Sequence, residues 1–230
     1  MSNNQKGEIC KTFADYSDHI VVIPNGYDSK AFYPREKDKC REKLGLLADA
    51  TILFNVGNLI EVKGHKYLIE TMQLLSKERN NIFCYIAGTG KLDKDLEDSI
   101  SNQNLQNVVH LIGWCPDDEI AFWMNACNIF VLPSLSESFG IVQLESMACG
   151  KPVVATRNGG SEEVVISDKY GLLAEPADPE DLAEKILVAL DREWNREEIL
   201  AYAERYTWGG IGKEIVDIYR QTIDFGDKSL

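Results

Sequence analysis

A glutamate in the middle of an apolar helix is the first residue of this sequence that needs a chemical explanation. The neighbours of Glu145 at helical spacing are all apolar: Ile141, Val142, Ala148 and Cys149. A carboxylate in such surroundings is destabilising unless a partner satisfies it. Two explanations are open. Glu145 caps a loop or pairs with a buried basic residue, or it binds the hydroxyl groups of a ligand.

The start of the same helix favours the second explanation. A helix beginning within Ser138–Ile141 offers unpaired N–H groups and a positive dipole end to an anion. Gly140 allows a phosphate to approach the backbone, and Lys63, in another loop that leads into a helix, adds a full positive charge. One lysine and one helix terminus suit a diphosphate. Glu145, one to two turns further on, could then hold vicinal hydroxyls such as those of a ribose.

These residues must be positioned by alternating strands and helices. Apolar, β-branched segments predict strands at HIVVIPNG, TILFNVG, NIFCYIAG, NVVHLIG, NIFVLP, PVVAT and YGLLAE, with amphipathic helices between most of them. This alternation predicts an α/β fold, a doubly wound Rossmann-like parallel sheet. Ligands of such sheets bind beyond the carboxyl ends of the strands, in loops such as GNLIEVKG, GTGK, GWCPD, PSLSESFG and TRNGG.

The ends of the helix that carries Glu145 also have sequence signals. Ser136 or Ser138 is expected to cap its start through a side-chain hydroxyl. Gly150, followed by Pro152, is expected to end it before the strand PVVAT.

Composition narrows the possible functions. The 230 residues carry a net charge of −13, which argues against binding nucleic acid over a broad surface. Six scattered cysteines form no CxxC pair, so a zinc site has almost no support, and a reduced, cytoplasmic protein is expected. No signal peptide and no apolar run long enough to span a bilayer is found.

Six motifs in order resemble those of a known family. Glu137 and Glu145, separated by seven residues, match the most characteristic motif of glycosyltransferase family 4, whose members have the two-domain GT-B fold. The segments PNGYDSKAFYP, GNLIEVKG, IAGTGKL, LIGWCPDDEI and NGGSEEVV also resemble the family's, in the family's order. The resemblance runs from about His19 to the tail helix, and it is to the carboxy-terminal, donor-binding half of such enzymes.

The resemblance implies retaining transfer of a hexose from a UDP-, GDP- or ADP-sugar to a glycan, a lipid-linked or a small-molecule acceptor. By this resemblance, Glu145 binds the ribose, and Glu137 meets the donor sugar and stabilises charge at the anomeric carbon. Lys63 neutralises the phosphates as the leaving group departs. The other implied donor-binding residues are Gly57, Asn58, Gly88, Gly113, Trp114, Ser138, Phe139, Gly140, Ile141 and Val142. No metal and no tightly bound cofactor are expected, because Lys63 and the helix terminus supply the positive charge.

Two departures from the family are visible. Asn58 stands where the family usually has an arginine that binds the diphosphate, so weaker donor binding or a compensating cation is expected. The family's amino-terminal domain, which supplies the acceptor site, is absent from the sequence. Residues 1–18 are interpreted as a remnant of the interdomain connection, 19–206 as the nucleotide-sugar-binding domain and 207–230 as a helix that crosses back to the other domain. That domain is the expected partner, the isolated chain is expected to be nearly inactive, and membrane association is expected only through that domain.

Two other functional classes are compatible with a sheet of this kind. A nicotinamide oxidoreductase is expected to carry a complete GxGxxG motif. Gly88 and Gly90 match the first two glycines of that motif, but Asp93 occupies the position of the third. A non-catalytic nucleotide-binding or interaction module is favoured by Asn58 and disfavoured by the presence of Lys63 and both glutamates.

Several residues have a structural interpretation beside a functional one. Trp114, Phe122 and Trp123 are interpreted as packing residues. Glu163 either faces the pocket or begins a helix, and His65 lies close enough to Lys63 in sequence to touch phosphate.

Overall fold

Six parallel strands form the centre of the structure, a computed structural model that describes residues 2–226. Their order across the sheet is β3-β2-β1-β4-β5-β6, so the chain reverses its direction of winding between the neighbours β1 and β4. That reversal is the switch point at which ligands of such sheets bind. The strands are β1 (Thr51–Val56), β2 (Ile82–Ala87), β3 (Val109–Gly113), β4 (Ile129–Leu132), β5 (Val153–Thr156) and β6 (Gly171–Ala174).

Helices connect the strands and cover both faces of the sheet. They are α1 (Asn3–Thr12), α2 (Lys37–Lys43), α3 (His65–Glu78), α4 (Asp93–Asn102), α5 (Asp117–Ala126), α6 (Ile141–Ala148), α7 (Ser161–Val164), α8 (Pro179–Asp191), α9 (Arg196–Glu204) and α10 (Trp208–Gly226). Two 3₁₀ segments lie at Ala14–His19 and Glu61–Lys63.

Burial on both faces explains why the strands are apolar throughout. Alternate residues of β1 enter different cores: Leu53 packs with α3 and α8 residues, and Phe54 packs with residues of α5, α6 and α9. A parallel sheet covered by helices on both sides requires this pattern. The predicted doubly wound sheet is confirmed, and every strand predicted from Thr51 onward is present.

The predicted strand HIVVIPNG is wrong. Residues 20–26 form no strand, and the first sheet-like contact is an isolated bridge between Tyr27 and Thr207. β-Branched residues favour a strand only where a neighbouring strand pairs with them and a core covers one face. Here the segment has no such neighbour, and Val21 is 55% exposed.

Helices α1 and α10 are the first and last elements of the described chain. Ser2 caps α1 through a reciprocal pair of hydrogen bonds with Gln5. The tail helix α10 leaves Trp208 and Tyr219 exposed. Residues 227–230 of the predicted tail segment, like Met1, lie outside the described residues.

Candidate functional site

Glu137 lies at the switch point and is held by two donors. Lys63 Nζ donates to Glu137 Oε1 at 2.6 Å, and Ser134 Oγ donates to the same oxygen at 2.7 Å. The Glu137 side chain is only 10% exposed and that of Lys63 26%. The other oxygen, Oε2, has no hydrogen-bond partner within residues 2–226. The carboxylate is therefore fixed in position with one oxygen left available.

A close backbone approach brings Lys63 to this glutamate. The loop after β1 docks on the loop after β4, with the Leu135 N–H donating to the Val62 carbonyl at 2.8 Å. Gly64 adopts a positive φ of 68°, and a Cβ atom there would collide with the carbonyl oxygen of Pro133. Only glycine permits both the conformation and the contact. Lys63 thus reaches Glu137 because a glycine follows it.

The start of α6 presents a row of unpaired backbone donors. Within residues 2–226, five consecutive N–H groups donate no hydrogen bond: those of Ser138, Phe139, Gly140, Ile141 and Val142. Unpaired N–H groups at a helix N-terminus attract an anion, and the helix dipole adds to that attraction. The geometry expected of a phosphate-binding helix terminus is therefore present.

The predicted serine cap of α6 is wrong. Gly140, with a φ of 75°, occupies the N-cap position, and no side chain caps the helix. The helix begins later than Ser136 and Ser138 suggest, because the left-handed glycine turns the chain directly into Ile141. The absence of a side-chain cap leaves the N–H groups open. The predicted end of the helix at Gly150 is confirmed by its positive φ of 74°.

Glu145 is half-buried, and its carboxylate has no hydrogen-bond or ion-pair partner within residues 2–226. Burial, together with a smaller effect of the Asp117 charge, raises the pKa of this carboxyl to about 7. Within residues 2–226, Glu145 neither caps a loop nor pairs with a basic residue, so that interpretation is not supported. An unpaired acid that stays partly open to solvent favours a ligand with hydroxyl groups.

The glycine-rich loops after β1, β2 and β3 pack against one another. A Cβ at Gly88, whose φ is 139°, would collide with the Gly57 carbonyl, and the Gly88 N–H donates to the Gly113 carbonyl at 2.7 Å. The aliphatic part of Lys63 runs past Gly57, and Asn58 is exposed beside it. Gly57, Gly88 and Gly113, which are predicted to bind the donor, thus lie in contacting loops at the carboxyl ends of their strands, and Gly57 lies next to Lys63.

The tryptophans differ from one another. Trp123 is buried and stacks on Phe54 at a centroid distance of 5.9 Å, so its interpretation as a packing residue is confirmed. Phe122 carries Lys43 and Arg35 over its ring. The packing interpretation of Trp114 is wrong, because the side chain is 72% exposed. Gly113, with a φ of 74°, turns the chain so that the next residue leaves the sheet.

Neither His65 nor Glu163 lies in the surroundings expected of a phosphate pocket. His65 is 1% exposed, neither ring nitrogen has a hydrogen-bond partner within residues 2–226, and burial lowers its pKa to about 4. The charge of Lys63 contributes to this lowering of the pKa, and the ring is neutral at pH 7. Glu163 lies within α7 and accepts from the backbone N–H of Asn3 at 2.8 Å.

Sequence reasoning missed two residues that shape the site, Ser134 and Asn158. Ser134 is fully buried and holds Glu137, a role that only its contact reveals. Asn158 caps the turn into α7 through its side-chain oxygen, at 2.8 Å from the Ser161 N–H. Gly160 faces Glu137, since a Cβ there would lie 2.8 Å from the Glu137 carbonyl oxygen. At Gly159-Gly160 the sequence indicates either a turn or a close approach to the donor sugar.

Residues 2–226 contain no group of three or more His, Cys, Asp or Glu side chains arranged to hold a metal ion. Within the same residues, no helix is both long and apolar enough to cross a bilayer.

The profile of the family described as "Glycosyl transferases group 1" matches residues 36–206, most of the chain. The chain belongs to this family. A curated relative, the D-inositol 3-phosphate glycosyltransferase of Arthrobacter sp. strain FB24, is 32% identical over 219 residues; the match covers 92% of this chain and 52% of the relative. The chain spans about half the length of the curated relatives it matches.

Solved glycosyltransferase structures have the same architecture. The Anabaena protein HepE in complex with UDP-glucose superposes with a TM-score of 0.79 at 28% identity, covering 89% of this chain and 58% of HepE. The C-terminal domain of a group 1 glycosyltransferase (LpcC) from Francisella tularensis superposes with a TM-score of 0.65 at 23% identity, covering 83% of this chain and 98% of that domain. The chain therefore has the fold of the carboxy-terminal, Rossmann-like half of a GT-B glycosyltransferase.

Proposed function

We propose that this chain binds the nucleoside-diphosphate sugar donor of a retaining glycosyltransferase, with UDP as the favoured nucleotide. The observation that carries the proposal is the row of unpaired N–H groups at the start of α6, facing the loop of Lys63 across the switch point. Both features offer positive charge to a diphosphate. UDP is favoured because the similar protein HepE was solved with UDP-glucose.

The proposed placement follows the polarity of α6. The diphosphate binds at residues 138–142, and the ribose lies one to two turns further along, where the Glu145 carboxylate accepts from its two hydroxyls. The nucleobase then lies toward Gly88, Gly113 and Trp114, at the neighbouring loops. The donor sugar lies on the other side of the diphosphate, against Glu137.

Glu137 and Lys63 act together in this proposal. The Lys63 charge holds one oxygen of Glu137 and leaves Oε2 to accept from a sugar hydroxyl. As the bond between the anomeric carbon and the phosphate breaks, positive charge grows on the sugar and negative charge on the diphosphate. The carboxylate stabilises the first charge, and Lys63 with the α6 N–H groups stabilises the second.

The proposed division of the chain follows the resemblance. Residues 19–206 form the donor-binding unit, residues 1–18 belong to the connection with an amino-terminal domain, and 207–230 return to it. The exposed side chains of Trp208 and Tyr219 on α10 support this arrangement. The acceptor, a glycan, a lipid-linked or a small molecule, would be bound mainly by that other domain, so the isolated chain would bind donor and transfer sugar slowly.

The experiment is calorimetric titration of the chain with UDP, GDP, ADP and UDP-glucose. Glu145→Ala and Lys63→Ala are measured alongside, after their folding is checked by circular dichroism. Lys66→Ala is the matched control, because Lys66 is an exposed lysine three residues after Lys63. Binding of UDP that is lost in the first two variants and kept in the control supports the proposal. Equal binding in all variants, or none by any nucleotide, contradicts it.

A second substitution tests the departure at position 58. Asn58→Arg adds a cation beside Lys63, and we expect it to raise UDP affinity by roughly 3- to 10-fold, the range of one exposed charge-assisted contact. Asn58→Gln, which keeps an uncharged amide, is the control. Unchanged affinity in Asn58→Arg would show that the missing arginine does not limit binding.

A further inference from the structure

Four basic side chains lie at the amino-terminal edge of the sheet, opposite the donor-binding loops. Lys37 and Arg41 lie one turn apart on α2, Lys151 lies two residues before β5, and Arg196 is the first residue of α9. These four residues are called the basic cluster. The length of β4, four residues at ~3.3 Å each, places the cluster at least about 13 Å from the loop of Glu137.

Arg41 joins α2 to the start of β4. Its Nε donates to the Ala126 carbonyl at 3.0 Å, and a terminal nitrogen donates to Asn128 Oδ1 at 2.9 Å. Asn128 is the residue before β4, so the guanidinium lies directly at the amino-terminal end of that strand. Arg41 is 2% exposed, and these oxygens accept hydrogen bonds from its guanidinium. It is therefore the buried, immobilised member of the cluster.

The remaining members are brought to the same place by sheet register and by a glycine. Phe130 of β4 pairs with Val153 of β5, so the residues two positions earlier, Asn128 and Lys151, lie side by side. Arg196 packs on Gly150, where a Cβ would lie 2.6 Å from its Nε.

No acid neutralises these charges directly. Within residues 2–226, the side chains of Lys37, Lys151 and Arg196 form no ion pair and no hydrogen bond. Asp38 is the acid that acts favourably on Lys37, and it forms no ion pair with it. By contrast Lys39, also on α2, pairs with Glu36 at 2.8 Å. Unpaired cations are unexpected in a chain with 37 acidic and 24 basic residues.

Keeping these charges together has an energetic cost. Burial, followed by the charges of Arg41 and Lys151, lowers the pKa of Lys37 to about 8. Burial also lowers the pKa of Lys151, with Arg196 and Arg41 among the repelling charges. A bound anion would remove this repulsion, because it would provide the opposite charge that the chain itself does not.

We propose that the basic cluster binds a phosphate group of a small soluble compound at a site separate from the donor loops. Two lysines and one exposed arginine around a fixed guanidinium suit a compact dianion, to which arginine offers two parallel donors and lysine a point charge. The net charge of −13 repels nucleic acids and anionic membranes, so the ligand is a single phosphate or a phosphate monoester.

The test is a titration of the whole chain with inorganic phosphate and, separately, with glucose 6-phosphate at constant ionic strength. Binding is followed by calorimetry and by amide shifts in NMR spectra. The variants are Lys37→Gln with Lys151→Gln, the control Lys39→Gln, and Lys63→Ala. Arg196→Gln provides a second route if the double variant does not fold, since Arg196 is exposed.

Saturable binding that falls at least about tenfold in the double variant or in Arg196→Gln, and stays in Lys39→Gln and Lys63→Ala, is expected. Loss in Lys63→Ala alone would place the phosphate at the donor loops and overturn the proposal. No saturable binding would overturn it as well, while UDP titration of the same samples tests the donor site independently. Cluster-dependent binding to vesicles containing phosphatidic acid, without binding of free phosphate, would also contradict a soluble ligand.

Discussion

The two edges of the sheet use positive charge in opposite ways. At the carboxyl edge, Lys63 is matched by Glu137, which Ser134 also holds, so the charge is fixed and compensated before any ligand binds. At the amino edge, Lys37 and Lys151 have no acidic partner within hydrogen-bond distance among the described residues. The first arrangement stabilises the folded protein and aims a carboxylate. The second arrangement leaves positive charges that a bound anion would neutralise.

The largest effect is expected from breaking the compensated pair. Lys63→Ala leaves the nearly buried Glu137 carboxylate without its cation, and we expect the free energy of unfolding to fall by about 1–3 kcal/mol. Chemical denaturation of this variant and of Lys66→Ala checks the prediction. A loss equal to that of the control would mean that the ion pair adds nothing to stability.

Glu145→Gln is expected to stabilise the protein at pH 8. The folded pKa of about 7 lies above the ordinary value of 4.5, so the ionised form is disfavoured by folding. Stability therefore declines as pH rises from about 4.5 through 7, and removing the charge restores about 1–3 kcal/mol above pH 7. Denaturation at pH 5 and pH 8 checks this: the gain must be present at pH 8 and nearly absent at pH 5. The same variant is expected to bind UDP less tightly, because an amide is a weaker acceptor for ribose hydroxyls.

Gly160→Ala is expected to disturb the position of Glu137. Its Cβ would lie 2.8 Å from the Glu137 carbonyl oxygen and 2.8 Å from the Phe139 nitrogen, both backbone atoms that cannot turn aside. We expect a loss of about 1–2 kcal/mol in unfolding free energy. Gly209→Ala is the control, since no atom lies within 4 Å of the added carbon and the position is helical. The control should gain stability, and a Gly160→Ala protein as stable as the control would refute the close contact.

The smallest effect is expected from removing one charge of the basic cluster. Lys37→Gln removes a charge that burial and its neighbours oppose, so at pH 7 we expect stability to rise by about 1 kcal/mol instead of falling. Since a lowered lysine pKa makes the charged form costly, the gain should disappear above pH 10, where the unfolded chain also loses its proton. Denaturation at pH 7 and pH 10.5 measures it. A loss of stability at pH 7 would show that Lys37 is compensated after all.

Much of the site was predictable because its signals are local. The alternation of apolar strands and amphipathic helices predicts the sheet, and parallel strands bring the loops that follow them to one edge. Glu145 was identifiable because its neighbours in the helix are apolar, and Gly140 because a phosphate-binding helix terminus needs an open backbone. The wrong predictions, a strand at residues 20–26, a serine cap on α6 and a packed Trp114, each needed knowledge of what lies next to the segment in space.

The sequence by itself determined the fold, the family resemblance and the identity of Lys63, Glu137 and Glu145 as candidates, since residue type and spacing carry that information. The tertiary structure alone decided that Lys63 and Ser134 share one oxygen of Glu137. It also decided that Lys37, Lys151 and Arg196 meet. Those three come from segments more than forty residues apart in sequence, and only the register of β4 with β5 and the packing on Gly150 bring their charges together.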